Sequence, residues 1–264
     1  MKKILIGMTI AAAGAFAMPA QATEFLGKSN IDFFYAELEG GYAVFSGGSD
    51  TAPGPLSLEP DGGAYGTFLL GHVSIDDGII GGYVDRAELW VTFADQGDDA
   101  VSTYTTERDY WEVGTRFQHY YDQNAMNKMM WGFEPFIGKF DGTFTSGMGP
   151  IPYDADIYGA MLSFESEHYY TPSTMFHFRA AVGAYGGSSS ASGVPDDNFG
   201  GFRGQLAAGV TQQVTDRLKV GAVARLDYFS DIPSLTAPSA LTTDGQLGAY
   251  FGVNLNYIFA GIYE

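Results

Sequence analysis

The chain has 264 residues, with 31 Asp and Glu against 13 Lys and Arg, no cysteine, 36 glycines, and 20 Phe, 17 Tyr and 3 Trp. Missing thiols exclude disulfides, thiolate metal sites and a cysteine nucleophile, and a formal charge of −18 has the wrong sign for nucleic acid. Glycine at nearly twice its usual share of roughly 7% accompanies far too many aromatics for a disordered or collagen-like chain, so the chain folds, as one large domain.

The first 22 residues read as an export address. Lys2 and Lys3 form a positive start, Ile4 to Ala17 an apolar and small-residue stretch, and Ala20-Gln21-Ala22 a small-x-small cleavage pattern. A signal peptide over 1–22 is therefore expected, with a single mature domain over 23–264. Its removal takes away two lysines and no acid, leaving the mature chain more acidic still.

Beyond that address nothing approaches the roughly 20 apolar residues of a spanning helix. Instead, runs with bulky apolar groups at alternate positions follow one another, the period of a strand with two unlike faces. In chain order they are Phe33 to Phe45, Ala64 to Ile75, Tyr83 to Phe93, Tyr110 to Tyr121, Met129 to Phe140, Asp156 to Glu167, Thr174 to Gly186, Gly201 to Val214, Leu218 to Phe229 and Gln246 to Phe259. In the fourth, Trp111, Val113, Thr115 and Phe117 oppose Glu112, Gly114, Arg116 and Gln118. In the seventh, Phe176, Phe178, Ala180 and Val182 oppose His177, Arg179, Ala181 and Gly183. In the last, Leu247, Ala249, Phe251, Val253, Leu255, Tyr257 and Phe259 oppose Gly248, Tyr250, Gly252, Asn254 and Asn256.

Long connectors rich in Gly, Ser, Pro and Asp, at about 46–63, 94–109, 141–155, 187–200 and 230–245, alternate with short ones. Strict alternation over ten strands puts the long loops at one end and the short turns at the other, an up-and-down meander. Three features put the apolar face outside. The opposite face is rich in glycine and charge and would pack a poor core. Aromatics gather in two belts: Phe33, Phe34, Tyr35, Tyr120, Tyr121, Tyr169, Tyr170, Tyr257 and Phe259 at the short-turn end, and Phe93, Tyr110, Phe140, Tyr158, Phe202, Tyr228 and Phe229 at the other. About ten tilted residues per run suits a bilayer crossing. Because lipid offers the backbone no hydrogen bonds, such a sheet has to close. The expected fold is all-β: a closed antiparallel up-and-down transmembrane barrel of ten strands. The glycine-rich stretches around Gly40 and Gly81 leave room for an error of two.

Over essentially the whole mature chain the sequence resembles the bacterial outer-membrane β-barrel proteins of the small porin-like or OmpA-like class. The last strand, with Gly252, Leu255, Tyr257 and Phe259, looks like the C-terminal signal read by the barrel-assembly machinery, and Ala260 to Glu264 run on beyond it. The resemblance implies long loops outside the cell, short turns and both termini in the periplasm, and outer-membrane lipid and lipopolysaccharide as surroundings.

Charge on the lumen-facing positions is the first candidate site. Arg86, Arg116, Arg179, Arg203, Lys219 and Arg225 face Glu37, Glu39, Glu88, Glu112, Glu134, Glu165 and Asp227. Such a set either filters small solutes by charge or forms a paired network that plugs the bore. Glu39, Glu88, Arg116, Glu134 and Arg179 are expected near mid-membrane. Acids in the connectors, among them Asp50, Glu59, Asp61, Asp95, Asp98, Asp99, Asp154, Asp196, Asp197, Asp231 and Asp244, offer loose sites for divalent cations or simply solvate the loops. No resident metal or cofactor is expected. Lys139, beyond Trp131, Phe133 and Ile137, has the reach to snorkel to lipid phosphate.

Enzyme readings find little. His72 and Ser74 are similar to the catalytic pair of outer-membrane lipid A deacylases, yet the second strand runs toward the short-turn end and carries them to the wrong leaflet. An omptin-like aspartyl protease would need a histidine among the outer aspartates, and His119, His168 and His177 fall elsewhere. The expected function is therefore non-enzymatic: a narrow porin-like channel or a structural, surface-exposed barrel. The alternatives are an outer-membrane hydrolase of lipid or peptide and, with the faces reversed, a secreted soluble barrel holding an apolar ligand.

Overall fold

The computed structural model describes residues 31–52, 56–74, 78–80, 82–123, 126–147, 149–236 and 240–263. The expected signal peptide, 1–22, lies outside them. The described chain forms β1 (Ile31–Gly47), β2 (Asp50–Ala52), β3 (Leu56–Leu58), β4 (Gly62–Ser74), β5 (Arg86–Val101), β6 (Tyr104–Gln123), β7 (Asn127–Ser146), β8 (Gly149–Thr171), β9 (Thr174–Ala191), β10 (Val194–Gln213), β11 (Leu218–Thr236) and β12 (Ala240–Tyr263). From β4 to β12 each strand pairs antiparallel with the next, and β1 pairs with both β4 and β12. Ten strands thus close into an up-and-down barrel. Closure gives each of these ten strands two neighbours and leaves the barrel no edge.

The period-two pattern sets the faces as expected. Large apolar side chains stand outside, Leu38 at 58% exposure, Phe93 at 60%, Leu162 at 61% and Val182 at 61%, while their neighbours in sequence point in. An apolar band this extensive around a barrel is a surface for lipid, and it removes the soluble ligand-binding reading, which needs those groups inside. Past Phe259, β12 continues its ladder with β1 as far as the pair Ile31 and Tyr263, after a register shift at Phe34 and Tyr35.

Two expectations are corrected. The segments 94–109, 141–155, 187–200 and 230–245 are mostly strand, closed by tight turns such as Ser102-Thr103 and Ser192-Gly193. Strand pairs therefore rise well beyond the apolar band as long hairpins. Above the lipid the outer face has no need of apolar groups, so Gly, Ser and Asp mark the end of the membrane there and not the end of the strand. In 46–63 the chain turns inward as well: β2 and β3 form a small hairpin, and β2 pairs in parallel with β11 through Thr51 and Thr236.

The second correction concerns the aromatic belts. Phe34, Tyr121, Tyr170, Tyr257 and Phe259 do stand outside at one end, as do Phe93, Tyr158, Phe202 and Tyr228 at the other. Tyr35, Tyr169, Tyr110, Phe140 and Phe229 instead point inward and are buried. Inward glycines seat several such rings. A methyl group on Gly71 would overlap the Tyr35 ring, one on Gly114 the Trp90 indole, and one on Gly252 the Tyr65 hydroxyl. Much of the glycine is therefore the complement of a ring-filled bore, in the way an aromatic covers a glycine on a neighbouring strand.

A charged and aromatic lumen as the candidate functional site

All eight residues proposed for the lumen network, Glu39, Glu88, Glu112, Arg116, Glu134, Arg179, Arg203 and Arg225, lie on the inner face, because each keeps the parity of an inward residue on its strand. Six of them join in pairs. Arg116 donates to Glu88 (2.6 Å) and to Glu134 (3.0 Å), and Arg179 donates to Glu134 from the other side. Arg86 extends the chain by bonding Glu88 (2.7 Å), Glu165 (3.2 Å) and Glu167 (3.2 Å), and Tyr35 adds its hydroxyl to Glu88. Glu134 is fully buried. Low dielectric makes an unpaired charge costly, which is why each carboxylate here meets more than one donor.

Nearer the long hairpins, Arg203 from β10 reaches across to Glu112 on β6 (2.6 Å) and also holds Asp227 (2.6 Å). Trp90 Nε1 and the Tyr110 hydroxyl donate to the same Glu112. The Arg203 guanidinium lies between the rings of Phe136 and Phe229, 4.8 and 4.6 Å from their centroids. Above it the rings of Tyr110, Phe140, Tyr185 and Phe229 meet. Tyr110 and Phe229 stand on strands five apart in a ring of ten, and their centroids are 5.9 Å apart. Side chains from opposite walls touch there.

The two remaining network residues behave differently. Glu39 and Arg225 form no ion pair among the described residues, and Arg225 instead covers the rings of Tyr250 (4.3 Å) and Tyr65 (5.6 Å). Both border a cavity of about 190 Å³ between the Arg203 layer and the short-turn end. Glu37 on the same wall accepts from the Asn254 and Asn256 amides, each at 3.0 Å.

In the mouth, above the apolar band, Asp50 of β2 is completely buried and accepts from Thr106, Tyr153 (2.9 Å) and Arg108 (3.4 Å). Burial pushes the Tyr153 phenol up to about 12, with the Asp50 carboxylate adding to it. Leu58 of β3 packs with Phe144 and Tyr153. Asp50, expected to solvate a loop, thus anchors an inward-folded cap. Parity could have found the lumen aromatics, since Tyr110 alternates with Glu112 and Tyr35 with Glu37; nothing local marks Asp50 and Arg108 as partners 58 residues apart.

On the outside, Lys139 bonds Asp141 (3.0 Å) and Asp154 (3.4 Å), so two aspartates occupy the ammonium expected to reach lipid phosphate. Asp95, Asp109, Asp141 and Asp154 stand directly opposite one another across β5 to β8. Among the described residues no three His, Asp or Glu converge in a way that holds a metal ion. His72 sits at the short-turn end of β4 with its Nε2 2.6 Å from Asp32 Oδ1 and its ring stacked on Phe34, and no hydrogen bond joins it to Ser74 among the described residues.

No model of a protein family matches the chain, and no curated protein does. Solved structures do. The outer-membrane protease OmpT from Escherichia coli aligns with 93% of this chain and 100% of its own at 8% identity and a TM-score of 0.52. The translocator domain of the autotransporter NalP from Neisseria meningitidis covers 98% of this chain and 95% of its own at 8% identity and a TM-score of 0.47. The toluene transporter TodX from Pseudomonas putida covers 93% of each at 10% identity and a TM-score of 0.32. Identities this low speak to architecture and not to activity. Together with the closed ten-strand sheet and its apolar exterior, the OmpT match gives this chain the fold of the bacterial outer-membrane β-barrel proteins.

Proposed function

We propose that this chain is an integral outer-membrane barrel without enzymatic activity, closed along its bore by its own side chains, that serves as a structural and surface-exposed protein. The observation that carries this reading is the contact of Tyr110 with Phe229 across the barrel, with Arg203 bridging to Glu112 directly beneath. An open filter needs charges that face water and let go of a solute. Here most of the guanidinium groups are held by carboxylates. The apolar band meets outer-membrane lipid, the hairpins stand outside among lipopolysaccharide, and β12 with Gly252, Leu255, Tyr257 and Phe259 is the strand for the assembly machinery to read. Commitment of His72 to Asp32, at the end away from the long hairpins, supports a non-catalytic role.

The test is single-channel conductance of the refolded protein in a planar bilayer. The expected result is insertion, shown by heat-modifiable gel migration, without discrete current steps. Steps whose ion selectivity shifts in Arg116→Gln and Arg179→Gln would overturn the closed barrel and restore the narrow channel, with those arginines as its filter.

A further inference from the structure

Four of the eight buried side-chain atoms that lack a hydrogen-bond partner among the described residues sit in one corner of the lumen: Glu39 Oε1, the Tyr65 hydroxyl, Arg225 Nε and Asn254 Oδ1. Unpaired buried polar atoms are rare in folded proteins and call for a partner. Tyr65 and Asn254 are only 5% and 6% exposed, so bulk water does not supply it. Glu39, Arg225 and Asn254 border the cavity of about 190 Å³, and the Tyr65 hydroxyl lies behind that wall beside Glu39. That cavity reaches Phe33, Val73, Lys128 and Met175, each within two residues of a strand end on the short-turn side, while the Tyr110, Phe140 and Phe229 rings close it on the other. It is a vestibule with one mouth.

The chemistry of the corner is two-signed. Arg86, Arg116, Arg179 and Arg203 each have a carboxylate at hydrogen-bonding distance. Arg225 and Glu39, on β11 and β1, are flanked by the same β12 yet do not close on each other. Two opposite charges held apart in a low dielectric are best satisfied by a molecule that carries both signs at once. We propose that this vestibule binds a small zwitterion of the α-amino acid class, its ammonium on Glu39 and Asn254 Oδ1 and its carboxylate on Arg225. Binding and closure are compatible, because the ligand enters and leaves by the same mouth.

Refolded full-length protein in detergent is tested by saturation-transfer NMR with glycine and L-alanine as probes, against a mixture of methylammonium and acetate at the same concentrations. The expected result is transfer to both amino acids, no displacement by the mixture, and about tenfold or greater weakening in Glu39→Gln and in Arg225→Gln. Absence of transfer to either amino acid leaves a hydrated cavity only and overturns the proposal. Equal displacement by the unlinked ions does the same, since the site then reads charge and not the zwitterion. If Glu39→Gln does not regain heat-modifiable migration, the wild-type comparison of linked with unlinked charges still decides. Conductance plays no part in this readout, so it fails or succeeds independently of the closed-barrel reading.

Discussion

On the β5 to β9 side of the lumen, Arg86, Arg116 and Arg179 run in an unbroken chain through Glu88 and Glu134, whereas across the same cavity, on the side formed by β1, β12 and β11, Arg225 and Glu39 form no ion pair among the described residues. The residue types are the same on both walls. What differs is the source of the counter-charge. On the first wall the sequence supplies it, and the network locks neighbouring strands together. On the second it supplies amides and aromatic faces, which satisfy a charge only in part. A barrel can therefore be rigid on one side of its bore and receptive on the other without any change of fold.

The sharpest way to break this contrast is to remove one carboxylate from each wall. Glu134→Ala strands Arg179 in a buried site and leaves Arg116 to Glu88 alone, and the expected loss is about 3–5 kcal/mol of stability. Glu39→Ala breaks no ion pair among the described residues, and its expected loss is smaller, about 1 kcal/mol. Urea unfolding of both variants, refolded into the same lipid, measures the difference. Equal losses would mean that Glu39 is paired in solution and that the walls are alike.

A smaller effect tests how tightly the paired wall is packed. Gly114→Ala places a methyl against the Trp90 indole, which is held by its bond to Glu112 (3.3 Å) and lies under Arg116 at 5.4 Å. Because those contacts hold the ring in place, about 1–3 kcal/mol is expected to be lost in the same assay. Gly40→Ala, whose methyl would stand outside between Leu38 and Tyr42, meets only the Tyr65 carbonyl oxygen at 3.6 Å, an ordinary contact, and should be far milder.

Strand number, closure and the inward placement of Glu112, Arg116, Arg179 and Arg203 are all legible in the sequence, because two-residue periodicity is a local signal and a bilayer enforces it on the outer face. The long hairpins were not legible by the same rule. Once strands leave the lipid, Asp95 and Asp109 face water on the side where Phe93 and Trp111 face lipid, and polar composition no longer separates strand from loop. The partition of the network was hidden for a different reason. Arg203 finds Glu112 from 91 residues away while Arg225 forms no ion pair among the described residues, and only three-dimensional register decides which does. Tyr110 and Phe229 lie at strand ends as belt aromatics do, but they share the parity of Glu112 and Asp227, and that parity turns them into the bore.

The smallest predicted effect lies on the outer surface of the paired wall, where water replaces protein as the medium. Asp95, Asp109, Asp141 and Asp154 stand side by side there, and like charges directly opposite on neighbouring strands destabilise a sheet. Lys139 offsets Asp141 and Asp154, and Asp109 has no such cation within the row. Its carboxyl is held above the usual range by partial burial and then by Asp95, Glu107 and Asp141. A carboxyl whose folded value is raised costs stability when ionised. Wild-type stability should therefore rise as the pH falls from neutral through that folded value, and level off below the unfolded one. Asp109→Asn should stabilise by a few tenths of a kcal/mol at neutral pH, where salt also weakens the repulsion, and the gain should vanish in acid. Urea unfolding of both proteins across that pH range gives the answer; a gain that persists in acid would trace it to packing and leave the aspartate row electrostatically silent, in contrast to the costly charges a few ångströms inside.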